Sequence, residues 1–266
     1  MIFESLLHTD LDSVKELQPE GWYDIVPYNK YFIDSEFCEP IKAVIDNKLV
    51  GIGTAIMHKD TVWLAHIIVH PNHRSKGIGR AITEKLIENY KGSAFKTIYL
   101  IATDLGAPLY TKLGFITETE YAFYKEGNFD KNTSLSPNIV PFQEKFRDEI
   151  LAMDREISGE DRENRLKESI ESSLVYKESD NILGCYFHEL GEGMIIARSS
   201  QAGIELMKLR LKVNDNAVLP VDNTAAIQFL LNNGFKEVRK AKRMYLGEKR
   251  TWNPQGLFNR VGGQIG

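Results

Sequence analysis

Apolar positions recur along this chain at two periods. Short apolar or alternating runs predict strands at 41–45, 49–57 and 61–69, the first pair joined at Asn47-Lys48 and the second at Lys59-Asp60. Ahead of them, Leu11, Val14 and Leu17 recur at helical spacing behind Asp10, a pattern that predicts a capped helix; a second helix is expected between Gly21 and Phe37. Beyond 69 the period alternates. Ile82, Leu86 and Ile87 share one face of a helix predicted over 80–90, followed by a strand at 97–102, a helix at 107–113 and a strand at 116–124.

The second half repeats the order more faintly. Helices are predicted at 142–153 and 161–172, and strands at 173–177, 182–189 and 193–197. A helix at 201–212, a strand at 217–221, a helix at 224–232 capped by Asn223, and a strand at 235–245 follow. Leu109-Tyr-Thr-Lys-Leu-Gly114-Phe115 and Phe229-Leu-Leu-Asn-Asn-Gly234-Phe235 stand 120 residues apart, and Tyr124 and Gly127 match Met244 and Gly247 at the same offset. These matches indicate a duplicated unit. Residues 127–137 are rich in turn formers, which places two domains at 1–133 and 134–266. A meander of strands followed by alternating helices and strands argues an α+β class, each domain a mixed, mostly antiparallel sheet flanked by helices.

Composition narrows the function. The 266 residues are 42% hydrophobic and 26% charged with a net charge of −4, ordinary globular values that offer no general attraction to nucleic acid or an anionic membrane. No run approaches the roughly 20 apolar residues of a membrane span. The first ten residues lack a basic segment and a small-residue cleavage site, so the cytoplasm is the expected location. Cys38 and Cys185 lie far apart in apolar segments and read as buried free thiols, ahead of a disulfide or a nucleophile.

An anionic ligand must therefore be drawn by a local cluster, and one exists. After the strand at 61–69 comes Arg74-Ser75-Lys76-Gly77-Ile78-Gly79-Arg80 at the start of a helix. A helix N-terminus offers unpaired N–H groups and partial positive charge, and glycines let a pyrophosphate approach the backbone. The alternative is a solvated basic loop. No Gly-Lys-Ser/Thr ending marks a nucleotide triphosphatase, and no Gly-x-Gly-x-x-Gly follows a first strand. His66, His70 and His73 do not read as a metal site, because four residues of strand span roughly 13 Å.

The run Val69-His70-Pro71-Asn72-His73-Arg74-Ser75-Lys76-Gly77-Ile78-Gly79-Arg80-Ala81 resembles the acetyl-CoA motif of the GNAT N-acetyltransferase superfamily, Arg/Gln-x-x-Gly-x-Gly/Ala. Leu109-Tyr110-x-Lys112-x-Gly114-Phe115 is similar to its second motif. The resemblance implies that Ile67 and Val69 bind the pantetheine arm of coenzyme A through their backbone, beside a splay in the sheet. It implies also that the amides of 75–80 hold the pyrophosphate, and that Tyr110 gives a proton to the leaving thiolate. Tyr110 has the alternative of a plain core tyrosine. Several relatives carry a basic glutamate where this chain has Trp63, which cannot accept a proton. His66 is the nearest titratable group on the strand, a candidate base or a structural histidine that alternation turns away from Ile67; Glu36, Glu39 and Asp24 are further candidates.

The second half has Ala197-Arg-Ser-Ser-Gln-Ala-Gly203-Ile204 at the loop and Leu230 at the tyrosine, so it is expected to keep the fold without the cofactor. It would be structural, or form a wall of the acceptor site. The apolar, glycine-rich tail 251–266 is expected to dock on the body. The function implied is acetyl transfer from acetyl-CoA to a primary amine of a small molecule or peptide. An acyl-CoA-binding sensor without turnover, and transfer of a different acyl group, stand as alternatives.

Overall fold

The computed structural model describes residues 1–263. The first half contains β1 (Ile2–Ser5), α1 (Leu11–Lys15), α2 (Val26–Asp34), β2 (Cys38–Ile45), β3 (Lys48–Met57), β4 (Thr61–Val69), α3 (Ile78–Tyr90), β5 (Thr97–Ala102), α4 (Ala107–Lys112) and β6 (Ile116–Lys125). The second contains β7 (Ile139–Pro141), α5 (Arg147–Ser158), α6 (Glu163–Leu166), β8 (Leu174–Glu178), β9 (Asn181–Phe187) and β10 (Met194–Ala197). It continues through α7 (Ser200–Leu211), β11 (Ala217–Pro220), α8 (Thr224–Asn232), β12 (Lys236–Gly247) and β13 (Leu257–Asn259).

Most predicted elements are present, and the departures have local causes. Strands β1, β7 and β13 are too short for any period to betray them. Asp10 does not cap α1 with its side chain; its carboxylate takes the Leu7 N–H at 2.8 Å and the Lys42 ammonium at 2.7 Å. The helix predicted at 161–172 is helical only over Glu163–Leu166. Beyond it the Ser172 and Ser173 hydroxyls bond the carbonyls of Ser169 (3.1 Å) and Ile170 (2.7 Å), and the chain closes in turns.

The duplication is visible in the backbone. Phe115 N–H bonds Tyr110 O at 3.0 Å, and Phe235 N–H bonds Leu230 O at 3.1 Å. Between each pair a glycine, Gly114 or Gly234, takes positive φ (92° and 75°), the helix-ending conformation that other residues adopt at a cost.

The sheets do not divide as the sequence does. One runs β1-β2-β3-β4-β5-β12-β6-β11 and the other β13-β10-β9-β8-β7. All pairings are antiparallel except β4 with β5. Strand β12 of the second half thus lies between β5 and β6 of the first, and β6 lies between β12 and β11.

A shared core follows. Trp63 and Tyr99 of the first half pack in one cluster with Ile150, Met153 and Cys185 of the second. Buried Glu160 accepts from Thr61 Oγ1 (2.6 Å) and Trp63 Nε1 (2.8 Å). Arg243 on β12 stacks on Tyr99 (4.5 Å) and Trp252 (4.1 Å) and pairs with Glu118 at 2.7 Å. The position that resemblance assigns to a basic glutamate is therefore a tryptophan sealed between the halves.

The described part of the tail is docked. Strand β13 pairs with β10, and Arg260 N–H bonds Val218 O on β11 at 2.9 Å, so the tail fills the gap between β10 and β11. Phe258 is buried against α7, where a Cβ on Gly203 would stand 2.3 Å from its ring. Gln264, Ile265 and Gly266 lie outside the described residues.

Candidate active site

In the first half the corresponding gap is open. Parallel pairing of β4 with β5 runs from Thr61↔Thr97 to Leu64↔Leu100 and stops, although both strands continue. The divergence opens a cleft of about 770 Å³ that reaches the loop before α3 at one end and residues of the second half at the other.

A bulge sharpens the splay. Ile52 pairs with Ile68 and Thr54 with Ala65, so Gly53 alone faces His66 and Ile67. His66 takes φ 47°, and both His66 and Ile67 line the cleft. They reach it from opposite faces of β4, as alternation predicts: His66 packs against Tyr28 and Phe32 of α2, while Ile67 joins the cluster of Ile82 and Leu86 of α3. Gly51 and Gly53 matter here too. A Cβ at either would meet the Ile82 side chain at 2.8 or 2.6 Å, so glycine lets α3 lie close on β3 and brings its N-terminus to the mouth of the splay.

The loop, residues 70–77, is built for its turn. His70 Nδ1 accepts the Asn72 N–H at 3.2 Å, and Arg74 Nε donates to Val69 O at 3.2 Å. Ser75 and Gly77 take φ 61° and 79°, and Gly77 stands at the helix N-cap. Ala81 N–H is the one that closes onto Gly77 O, which leaves the amides of Ile78, Gly79 and Arg80 without helical partners. Arg74, Ser75, Gly77, Ile78, Gly79, Arg80 and Val69 all line the cleft. Lys76 does not; its ammonium folds back on Asn72 O at 3.1 Å. Arg80 is tied to Glu84 at 2.8 Å; Arg74 and Lys76 have no carboxylate partner among the described residues, and of these two Arg74 lines the cleft.

Tyr110 on α4 lines the same cleft. Its ring packs on Phe115 with centroids 5.9 Å apart, and burial pushes its phenol up to about 12. It therefore stays protonated at neutral pH.

His66 is buried among aromatic rings, 5.2 Å from Phe32 and 5.6 Å from Tyr28, and burial holds its imidazole down at about 4. Asn29 Nδ2 stands 3.3 Å from Nδ1 while also bonding Ile25 O at 2.9 Å, which fixes that amide as donor. Nδ1 is thus the acceptor and Nε2 carries the proton.

None of Asp24, Glu36 and Glu39 lines the cleft. Asp24 takes the Val26 N–H at 3.0 Å and Glu39 the Tyr90 hydroxyl at 2.6 Å. Among the described residues the carboxylate that does line it is Glu192, which comes from the second half with Arg239, Ala241 and Arg260. Sequence reasoning missed these residues, since only the strand exchange and the tail bring them across. Cys38 and Cys185 are buried free thiols outside the cleft, pushed up to about 11 and 12 by burial.

The second half lacks the equivalent loop. Between β10 and α7 stand only Arg198 and Ser199, and the Ser199 hydroxyl caps the helix by accepting Ala202 N–H at 3.2 Å. Leu230 stands in place of Tyr110 and is buried.

Comparison with known proteins is consistent with this architecture. Residues 3–115 match the acetyltransferase (GNAT) family, and residues 150–258 match a further acetyltransferase (GNAT) domain. An uncharacterized N-acetyltransferase of Pyropia yezoensis is 30% identical over 78 residues, 28% of this chain; the match spans 44% of that protein's length. A crystal structure of a Pyrococcus horikoshii protein assigned as an acetyltransferase superposes with a TM-score of 0.83 at 17% identity, over 100% of this chain and 95% of that one. A GCN5-related N-acetyltransferase of Anabaena variabilis gives 0.60 at 10% identity, over 92% and 72%. At these identities the solved structures speak for the fold.

Proposed function

The chain belongs to the GNAT acetyltransferase family as a tandem of two such domains, and from that premise we propose that its first half transfers an acetyl group from acetyl-CoA to a primary amine. The observation that carries the reading is the continuity of one cleft from the unpaired amides of 78–80, past the splay, to Tyr110.

The residues fit coenzyme A. The amides at the N-terminus of α3 and the Arg74 guanidinium suit a pyrophosphate, and open space surrounds Gly77. Ile67 and Val69, beside the divergence from β5, have backbone groups suited to the pantetheine amides. In the transfer, the amine nitrogen bonds the thioester carbon, the C–S bond breaks, and the Tyr110 hydroxyl gives its proton to the departing sulfur. Tyr110 regains a proton as the newly acylated nitrogen, still protonated when the C–S bond breaks, loses one to give the neutral amide. No covalent enzyme intermediate is needed. His66, with its proton on Nε2, is suited to donate a hydrogen bond rather than to act as base. The amine proton therefore leaves through water.

One observation favours a second reading, an acyl-CoA-binding sensor: Glu192, the carboxylate among the described residues lining the cleft, is held by Arg260 at 2.8 Å. Thiol release from acetyl-CoA across an amine library separates the two. Acceptor-dependent release, reduced by about 10²-fold or more in Tyr110→Phe, supports transfer. Tight coenzyme binding with no release from any amine supports the sensor.

A further inference from the structure

The far wall of the cleft carries a positive charge that no described residue balances in an ion pair. Arg239 on β12 lies over the Phe123 ring at 3.6 Å, and Arg260, just after β13, lies over the same ring at 4.7 Å. Arg260 is buried and bonded twice to Glu192, at 3.0 and 2.8 Å, so that pair is neutral as a unit. Arg239 forms no ion pair with a described residue; Glu192 and Asp104 reach it only at longer range. Burial and then the neighbouring Arg260 push its pKa below the ordinary arginine value, which records a cost to holding this charge here.

Phe123, Glu192, Arg239 and Arg260 all line the cleft that holds Tyr110. Stacking covers the face of the Arg239 guanidinium and leaves its planar N–H edge for a ligand, the geometry that suits a carboxylate. Trp22 and Tyr23, both exposed, line the same space and offer apolar surface to the body of a small molecule.

Building on the acetyl transfer argued above, we propose that the acceptor amine carries a carboxylate, and that Arg239 binds it: the acceptor is an amino acid rather than a simple amine, an aminosugar or a polyamine. On this wall, one cation unpaired among the described residues fits one negative charge. The second half then contributes to specificity through strand β12, while the first half carries the transfer.

The test compares matched acceptors that differ only in the carboxylate: leucine against isoamylamine, and phenylalanine against 2-phenylethylamine. Thiol release from acetyl-CoA is followed with the full-length protein. The wild type should favour the amino acids in kcat/KM by on the order of 10- to 100-fold, the worth of a charge-assisted hydrogen-bonded pair. Arg239→Gln should erase that preference by raising KM for the amino acids while leaving the simple amines unchanged, and Arg239→Lys should restore part of it. Thermal melting of each variant confirms that the fold is retained. Equal kcat/KM for both members of each pair, or an equal loss on both in Arg239→Gln, overturns the carboxylate site and leaves acetyl transfer standing. Coenzyme binding without thiol release from any amine overturns the transfer reading, and this inference with it.

Discussion

Tyr121 on β6 faces Ala241 on β12, and the two stand 120 residues apart in sequence, the offset of the internal repeat. A residue paired with its own repeat mate marks a local two-fold axis. About that axis each half lends its last long strand to the other, so neither sheet edge is complete within one half.

The exchange predicts that the halves depend on each other. A fragment of residues 1–133 lacks β12, leaving β5 and β6 with unpaired edges and the Trp63–Tyr99 stack uncovered. It should show no cooperative urea transition alone, and co-expression with residues 134–266 should restore a soluble complex. Cooperative unfolding of the isolated fragment would speak against the exchange as a folding requirement.

The tail is expected to stabilise the fold without masking a second coenzyme site. Phe258→Ala removes a buried ring and should cost about 3–5 kcal/mol, read as a lower urea midpoint. Emptying that gap should create no coenzyme binding, because only Arg198 and Ser199 connect β10 to α7. Titration of Phe258→Ala with acetyl-CoA should give the wild-type stoichiometry, and an added site would refute the assignment.

His66 makes stability pH-dependent with a defined sign. Its folded pKa is depressed to about 4 from the unfolded 6.5, so the unfolded chain binds the proton more readily. The stabilisation is present above about pH 6.5 and is lost as pH falls toward 4. Between pH 7 and pH 5 the loss amounts to about 2 kcal/mol. Urea midpoints at both values should therefore converge in His66→Phe relative to the wild type, and an unchanged difference would exclude His66 as the source.

Regular elements were legible where sequence carries their physics. Strands at 61–69 and 97–102 and the helix at 224–232 stand where their patterns put them, since each is long enough to repeat and has clear boundaries. The Gly-Phe repeat reported a real duplication because the left-handed glycine is a local demand of the chain. The bulge at His66 was not legible: an inserted residue shifts the pairing register without altering composition. Nor was the strand exchange, which decides where Arg239 and Glu192 go, because pairing of β12 with β5 rather than with its own half depends on contacts over a hundred residues away. The loop cations illustrate the same limit. Arg74, Lys76 and Arg80 read alike in sequence, yet Glu84 engages one and Asn72 O another.

Whether the loop before α3 holds the coenzyme, and holds it alone, is decided by calorimetric titration of acetyl-CoA into the wild type and Gly77→Glu. A Cβ on Gly77 would meet no atom within 4 Å, and glycine is favoured there by a φ of 79°. The variant should therefore fold, at a cost of about 1–2 kcal/mol. Its carboxylate would face the pyrophosphate. One molecule should bind per wild-type chain, and binding should weaken by on the order of 100-fold in the variant. Two molecules per chain, or unchanged affinity in Gly77→Glu, would contradict a single coenzyme site at this loop.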